Sequence, residues 1–152
     1  MVSVGGTALS RGPVTGNFQQ ELAWQQTGGG PSVFAPIPAF QSKAGSSIGF
    51  AHRAPPEVAA VADPATGAWV LQNGNWYIVG GTSVATPVVA GIRNLSGSFS
   101  LFSAVELTKT YGNPAGFTNI GNGDCGPNEG YLAGAGWNFC TGNGTPRGTA
   151  YK

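Results

Sequence analysis

The stretch GGTSVATPVVAGI, residues 80–92, decides how the chain is read. Before it stands WYIV, residues 76–79, apolar and β-prone, and within it VATPVVAGI carries the small and apolar side chains of a helix lying tightly on a sheet. Ser83 therefore sits at a strand-to-helix turn. The first backbone N–H groups of a helix lack partners and its dipole end is positive, so a serine there does one of two jobs. It caps the helix, or it attacks a carbonyl.

Working outward, the 152 residues suffice for one domain with a real core, and 41% hydrophobic content can fill it. Charged residues make up only 9%, against the ~25% of an ordinary globular chain, while there are 26 glycines and 11 prolines. Such a chain is rich in loops. A formal net charge of +1 with no Lys/Arg cluster leaves nothing to hold phosphates, which excludes nucleic acid as a partner class. No segment is apolar for long enough to span a bilayer, and MVSVGGTALSRG at the start lacks the basic and apolar regions of a secretion signal.

Along the chain, MVSVGG reads as the end of a buried strand turning at Gly5-Gly6. A helix-like portion is confined to residues 18–26. Gly28-Gly29-Gly30 reads either as a flexible surface loop or as backbone running unusually close to another segment. GAWVLQNGNWYIVGG reads as two strands around Asn73-Gly74, the strongest short hairpin signal. Past Ser83 a helix runs to about Leu95 and another over residues 104–111, followed by a Gly-rich irregular tail from Asn113. There is no internal repeat and no domain boundary.

GGTSVATPVVAGI resembles the nucleophile motif GTSxAxP shared by subtilisins and by the sedolisin family of serine-carboxyl peptidases. The blocks VSVGGT, TGGGPSVFAPIPAFQ, PPEVAAVADPATG and YLAGAGWNFCTGNGTP resemble, in that order, the C-terminal part of a sedolisin catalytic domain, so that the resemblance covers nearly the whole chain. It implies an α/β fold, a subtilisin-like parallel sheet with flanking helices represented by its C-terminal portion only, plus a Gly-rich tail like the family's calcium loop. It implies Ser83 as the nucleophile of an endopeptidase acting on peptide or protein substrates at acidic pH. Gly81, Thr82 and Ala85 are then small supports where the turn and a substrate backbone are close. Gly28, Gly29, Gly30 and Ser32 resemble the Gly-rich stretch beside the substrate cleft, with Pro31 departing from the aromatic or aliphatic residue more usual there.

A subtilisin triad requires a His, and the sole candidate, His52 in GFAHRAPPEV, reads as a loop histidine. Sedolisins are understood to replace it with a Glu backed by an Asp, and to place a further Asp in the oxyanion hole. A carboxylate base stays ionised down to about pH 4, which suits acid chemistry. The Glu and its partner sit one helical turn apart, but here Glu21, Glu57, Glu106 and Glu129 are followed at that spacing by Gln25, Val61, Thr110 and Ala133. The only Gly-Asp pair, Gly123-Asp124, lies after Ser83 rather than before it. The expectation is a chain that needs the N-terminal part of the catalytic domain to act and is inactive alone. The alternatives are a non-catalytic remnant or binding module that keeps the fold, and a start at an internal Met of a longer product.

The family's calcium ligands map by motif onto Asn119, Ile120, Gly134, Gly136 and Asn138, with both carboxylates replaced by Asn. An oxygen-ligand calcium site without charged ligands is weak. The tail is therefore expected to keep the loop's shape while binding calcium weakly or not at all, with Asp124 and Glu129 the only carboxylates inside it. Cys125 and Cys140 both lie in this tail, and because the family is secreted they are expected to pair, taking over part of the stapling. The extracellular setting is compatible with the sequons Asn94-Leu95-Ser96 and Asn143-Gly144-Thr145.

Overall fold

The computed structural model describes residues 1–97, 100, 102–126 and 131–150. Its central feature is a three-stranded sheet in the order β2-β1-β3, formed by β1 (Val4–Arg11), β2 (Phe18–Ala23) and β3 (Val58–Val61). β3 reads VAAV and pairs in parallel with β1, Val4 opposite Val58 and Thr7 opposite Val61. A continuous run of small apolar residues is what a strand covered on both faces requires. β2 pairs antiparallel with β1, from Thr7 opposite Ala23 to Arg11 opposite Phe18. Among the described strands β1 and β3 form the only parallel ladder, so the expected parallel sheet is here a mixed one.

Two local expectations are corrected. Residues 18–23 are strand, not helix: Gln, Glu and Leu favour helix, but pairing with β1 overrides a weak local preference. Gly5 and Gly6 do not turn the chain but continue β1. They are glycine because neighbours press against the strand. A Cβ at Gly5 would lie 2.7 Å from the Cys140 carbonyl oxygen, and one at Gly6 would lie 2.6 Å from the Ala62 Cβ.

Of the helices α1 (Ser42–Ile48), α2 (Thr82–Leu95) and α3 (Ser103–Gly112), α2 packs on this sheet against β1 and β3, and α3 is tied to α2 by the Arg93–Glu106 ion pair. α2 lays Ala85 and Val89 on Val58, Ala60, Ala62 and Phe117, which together make the main core cluster. Alanine at 60, 62 and 85 lets helix and strand approach closely. The hairpin β4 (Ala68–Gln72) and β5 (Asn75–Val79) closes through Asn73 at φ 51° and Gly74 at φ 78°. Two successive positive φ values define the primed turn that matches strand twist. In the tail, β6 (Phe117–Thr118) pairs with β9 (Thr145–Pro146), and β7 (Asp124–Cys125) with β8 (Tyr131–Leu132). The tail then runs back along β3, with the Ala59 N–H donating to Gly144 O at 3.0 Å and the Asn143 N–H to Glu57 O at 2.9 Å.

Candidate active site and tail cradle

The start of α2 is built from Gly80 and Gly81. A Cβ at Gly80 would lie 2.5 Å from Pro64 backbone atoms, so only glycine passes there. Gly81 is the N-cap residue at φ 95°, ψ 163°, a region that side chains other than hydrogen strain to enter. Its N–H donates to Ala62 O, and its carbonyl accepts from the N–H of Val84 at 2.9 Å and of Ala85 at 3.3 Å. A Cβ on Gly81 would meet nothing nearer than the Ser83 nitrogen at 3.8 Å, so this glycine answers a conformational need and not crowding within the chain. Crowding falls instead on Gly80. Thr82 opens the helix and Ala85 is fully buried.

Ser83 is the second residue of α2 and is exposed. The helix has no side-chain cap, and among the described residues no group is hydrogen-bonded to the Ser83 hydroxyl. Pro87 stands four residues later and has no N–H to return to the Ser83 carbonyl, which loosens the first turn around the serine. The hydroxyl thus projects from the positive end of a helix, where negative charge is favoured.

The carboxylates are committed elsewhere. Glu21 accepts from the hydroxyls of Thr7 at 2.6 Å and Thr145 at 3.2 Å. Glu57, with no exposed surface, accepts from the Ser3 N–H and from Arg53 Nη2 at 2.6 Å. Asp63 accepts from the Ala65 N–H at the head of a short 3-10 turn. Glu106 is paired with Arg93 and Lys109 and accepts from the Ser100 N–H at 2.6 Å. Burial pushes the Glu106 carboxyl up, but that N–H and the two cations together hold it below its ordinary value. Asp124 lies in β7, His52 is exposed beside Pro36, and Glu129 falls outside the described residues.

Within the Gly-rich stretch, Gly29 and Gly30 run close against other segments, while Gly28 and Gly29 remain exposed. A side chain at Gly29 would collide with the Phe139 carbonyl, and one at Gly30 would lie 2.9 Å from the Tyr131 ring. The Gly30 N–H donates to Pro55 O at 3.2 Å and the Ser32 N–H to Arg53 O at 2.8 Å. The Ser32 hydroxyl accepts from the N–H groups of Phe34 and Ala35. None of these bonds reaches the α2 start. At Gly28 a Cβ would meet nothing.

In the tail, Asn119, Ile120, Gly134, Gly136 and Asn138 come together. Asn138 is buried, and its Nδ2 donates to the carbonyls of Ile120 at 3.1 Å, Gly134 at 3.1 Å and Gly136 at 3.4 Å. Its Oδ1 accepts from the Cys140 N–H at 3.1 Å and from the N–H and hydroxyl of Thr141 at 3.0 and 3.1 Å. Asn119 and Gly136 bond reciprocally, Nδ2 to the Gly136 carbonyl at 2.6 Å and the Gly136 N–H to Oδ1 at 3.2 Å. The residues do not fit calcium: the side-chain donors carry no charge, and the carbonyls that would face the ion already accept amide hydrogens. Among the described residues no three His, Cys, Asp or Glu side chains cluster as a metal site.

Cys125 and Cys140 form a disulfide with Cα atoms 5.4 Å apart, and both are buried. Two participants escape any sequence pattern. Thr141, fully buried, completes the Asn138 network. Tyr111 of α3 accepts from Gln41 Nε2 at 2.8 Å and Trp137 Nε1 at 3.0 Å, tying helix to tail.

No family model matches the chain. It is 30% identical to kumamolisin of Bacillus sp. (strain MN-32) over 97% of its own length and 29% of the relative's. It is also 30% identical to sedolisin of Pseudomonas sp. (strain 101), over 95% of this chain and 27% of that protein. Xanthomonalisin of Xanthomonas sp. (strain T-22) is 28% identical over 95% of this chain. Among solved structures, Pseudomonas sedolisin, a serine-carboxyl proteinase complexed with two molecules of pseudo-iodotyrostatin, superposes with a TM-score of 0.79. That match has 29% identity and takes in 95% of this chain and 43% of that one. The mixed α/β fold is that of the solved sedolisin structure, and the Gly-Thr-Ser start of α2 stands within it. By these matches the chain is similar to the C-terminal part of sedolisin-family proteins, and it spans less than a third of the curated relatives it matches.

Proposed function

We propose that this chain is the nucleophile-bearing, C-terminal portion of a serine-type endopeptidase domain that acts in acid and outside the cell. The observation that carries the proposal is Ser83, exposed at the head of α2 while Gly81 holds the cap position, so that capping does not occupy its hydroxyl. An exposed serine without a partner is a poor nucleophile, and Glu21, Glu57, Asp63 and Glu106 are held in structural bonds. The base, its supporting carboxylate and the oxyanion acid then come from the N-terminal portion of the domain. With that portion in place, Ser83 Oγ gives its proton to the Glu base and attacks the peptide carbonyl. The leaving amine takes the proton back, and water hydrolyses the acyl-enzyme.

Cleavage of a denatured protein substrate between about pH 3 and 5 tests this reading, since that is where a carboxylate base works. The 152-residue chain should show negligible cleavage. A longer product in which an upstream segment supplies the Glu/Asp pair should cleave and should lose that activity in Ser83→Ala. Ser83-dependent cleavage by the 152-residue chain would reveal a base within it. Cleavage surviving Ser83→Ala in the longer product would remove Ser83 from the mechanism. The absence of cleavage in both favours the second reading, a non-catalytic binding module, which the structural engagement of those four carboxylates supports.

A further inference from the structure

Three backbone carbonyls, those of Ile120, Gly134 and Gly136, converge on one point, as oxygen ligands converge on a cation. At that point sits the Asn138 Nδ2. Its two hydrogens serve three acceptors, with the longest contact at 3.4 Å shared, and it carries the partial positive charge that a ring of carbonyl dipoles demands. The orientation of this amide is fixed by its far side. The oxygen faces two N–H groups and the Thr141 hydroxyl, and reversing the amide would set oxygen against three carbonyls and NH2 against two N–H donors. Asn119 closes the rim by its reciprocal pair with Gly136.

We propose that the Asn138 amide takes the place of a cation in this cradle, so that the tail loop is a neutral, metal-independent staple. It follows that Asn119→Asp with Asn138→Asp turns the staple into a calcium site. An Asp at 138 keeps an oxygen for the Cys140 and Thr141 N–H groups but aims the other at three carbonyls, an arrangement that only a cation relieves. This inference does not depend on peptidase activity. It would stand in a non-catalytic module.

Thermal unfolding of the full chain at neutral pH, in millimolar CaCl2 and in EDTA, is the test. Terbium luminescence excited through tryptophan gives a second readout, because Trp137 lies between Gly136 and Asn138 in the cradle itself. The wild-type chain should melt at the same temperature in both solutions and show no saturable terbium emission. The double Asp variant should melt at least about 5 °C lower in EDTA, recover in calcium, and give saturable emission. If that variant does not fold, Asn138→Ala should lower the melting temperature equally with and without calcium, since it removes the amide without making a ligand. A wild-type chain stabilised by calcium or binding terbium saturably overturns the proposal. So does a double Asp variant as stable in EDTA as the wild type, or an Asn138→Ala chain that melts unchanged.

Discussion

At the scale of single residues, Glu106 shows how a chain with so few charges spends one of them. It stands on α3, is nearly buried, and joins α3 to α2 through Arg93 while Lys109 approaches its other oxygen at 3.3 Å. Charge-assisted bonds of this kind contribute about 1.5–3 kcal/mol each, and Glu106→Gln should cost on the order of 2 kcal/mol at neutral pH. The carboxyl is held below its ordinary value of 4.5, so the folded state binds this proton less readily than the unfolded state. Its contribution is therefore fully present above that value and is lost as pH falls through the depressed folded value. The bridge should hold further into acid than an unpaired carboxylate would allow. Urea midpoints for wild type and Glu106→Gln across this range give the check: the gap between them should close on acidification, and a gap that stays constant with pH would refute the assignment.

Among the elements, the tail acts as a brace behind β3. Its disulfide joins residues 15 apart, and the Cys140 carbonyl presses on Gly5 of β1. Closing a loop of that length stabilises by about 3 kcal/mol in the chain-entropy model, so Cys125→Ser with Cys140→Ser should lower unfolding free energy by about that amount. A urea titration showing no change would mean the brace is carried by the Asn138 network alone. What the sequence made legible follows the same division between local and distant causes. The Asn73-Gly74 turn, the helix after Ser83 and the helix near Ala104 are written in short-range chemistry, and the structure has all three. β2 and the glycines of β1 were misread because their reasons lie far along the chain, in pairing with β1 and in contact with Ala62 and Cys140. The convergence of Asn119 with Asn138 was legible through family motifs. That Asn138 would spend its amide on three carbonyls was not, since an amide's direction depends on partners such as Thr141 that no spacing rule marks.

For the whole molecule, exposed surface is the governing quantity. A folded monomer of 15.4 kDa is expected to expose about 7,200 Å², whereas this chain exposes 8606 Å². The excess has recognisable places. One face of the hairpin carries Trp69, Leu71, Trp76 and Ile78, with both tryptophans more than 60% exposed. An apolar groove between the start of β1 and α2 is lined by Val2, Val4, Val58, Val89 and Ala90. Patches of this kind mark surfaces that are covered in the working molecule, and under the proposed function the N-terminal portion of the domain covers them. Alone in solution, the 152-residue chain should bury them against itself. We expect concentration-dependent association in sedimentation, binding of a hydrophobic dye, and a broad thermal transition. Trp69→Thr with Trp76→Thr should reduce association without loss of secondary structure, because both side chains stand in solvent and threonine suits a strand. A wild-type chain that sediments as a monomer, leaves the dye dark and melts in one sharp transition would mean that these faces need no cover, and would remove the structural reason for placing a further portion of the domain against them.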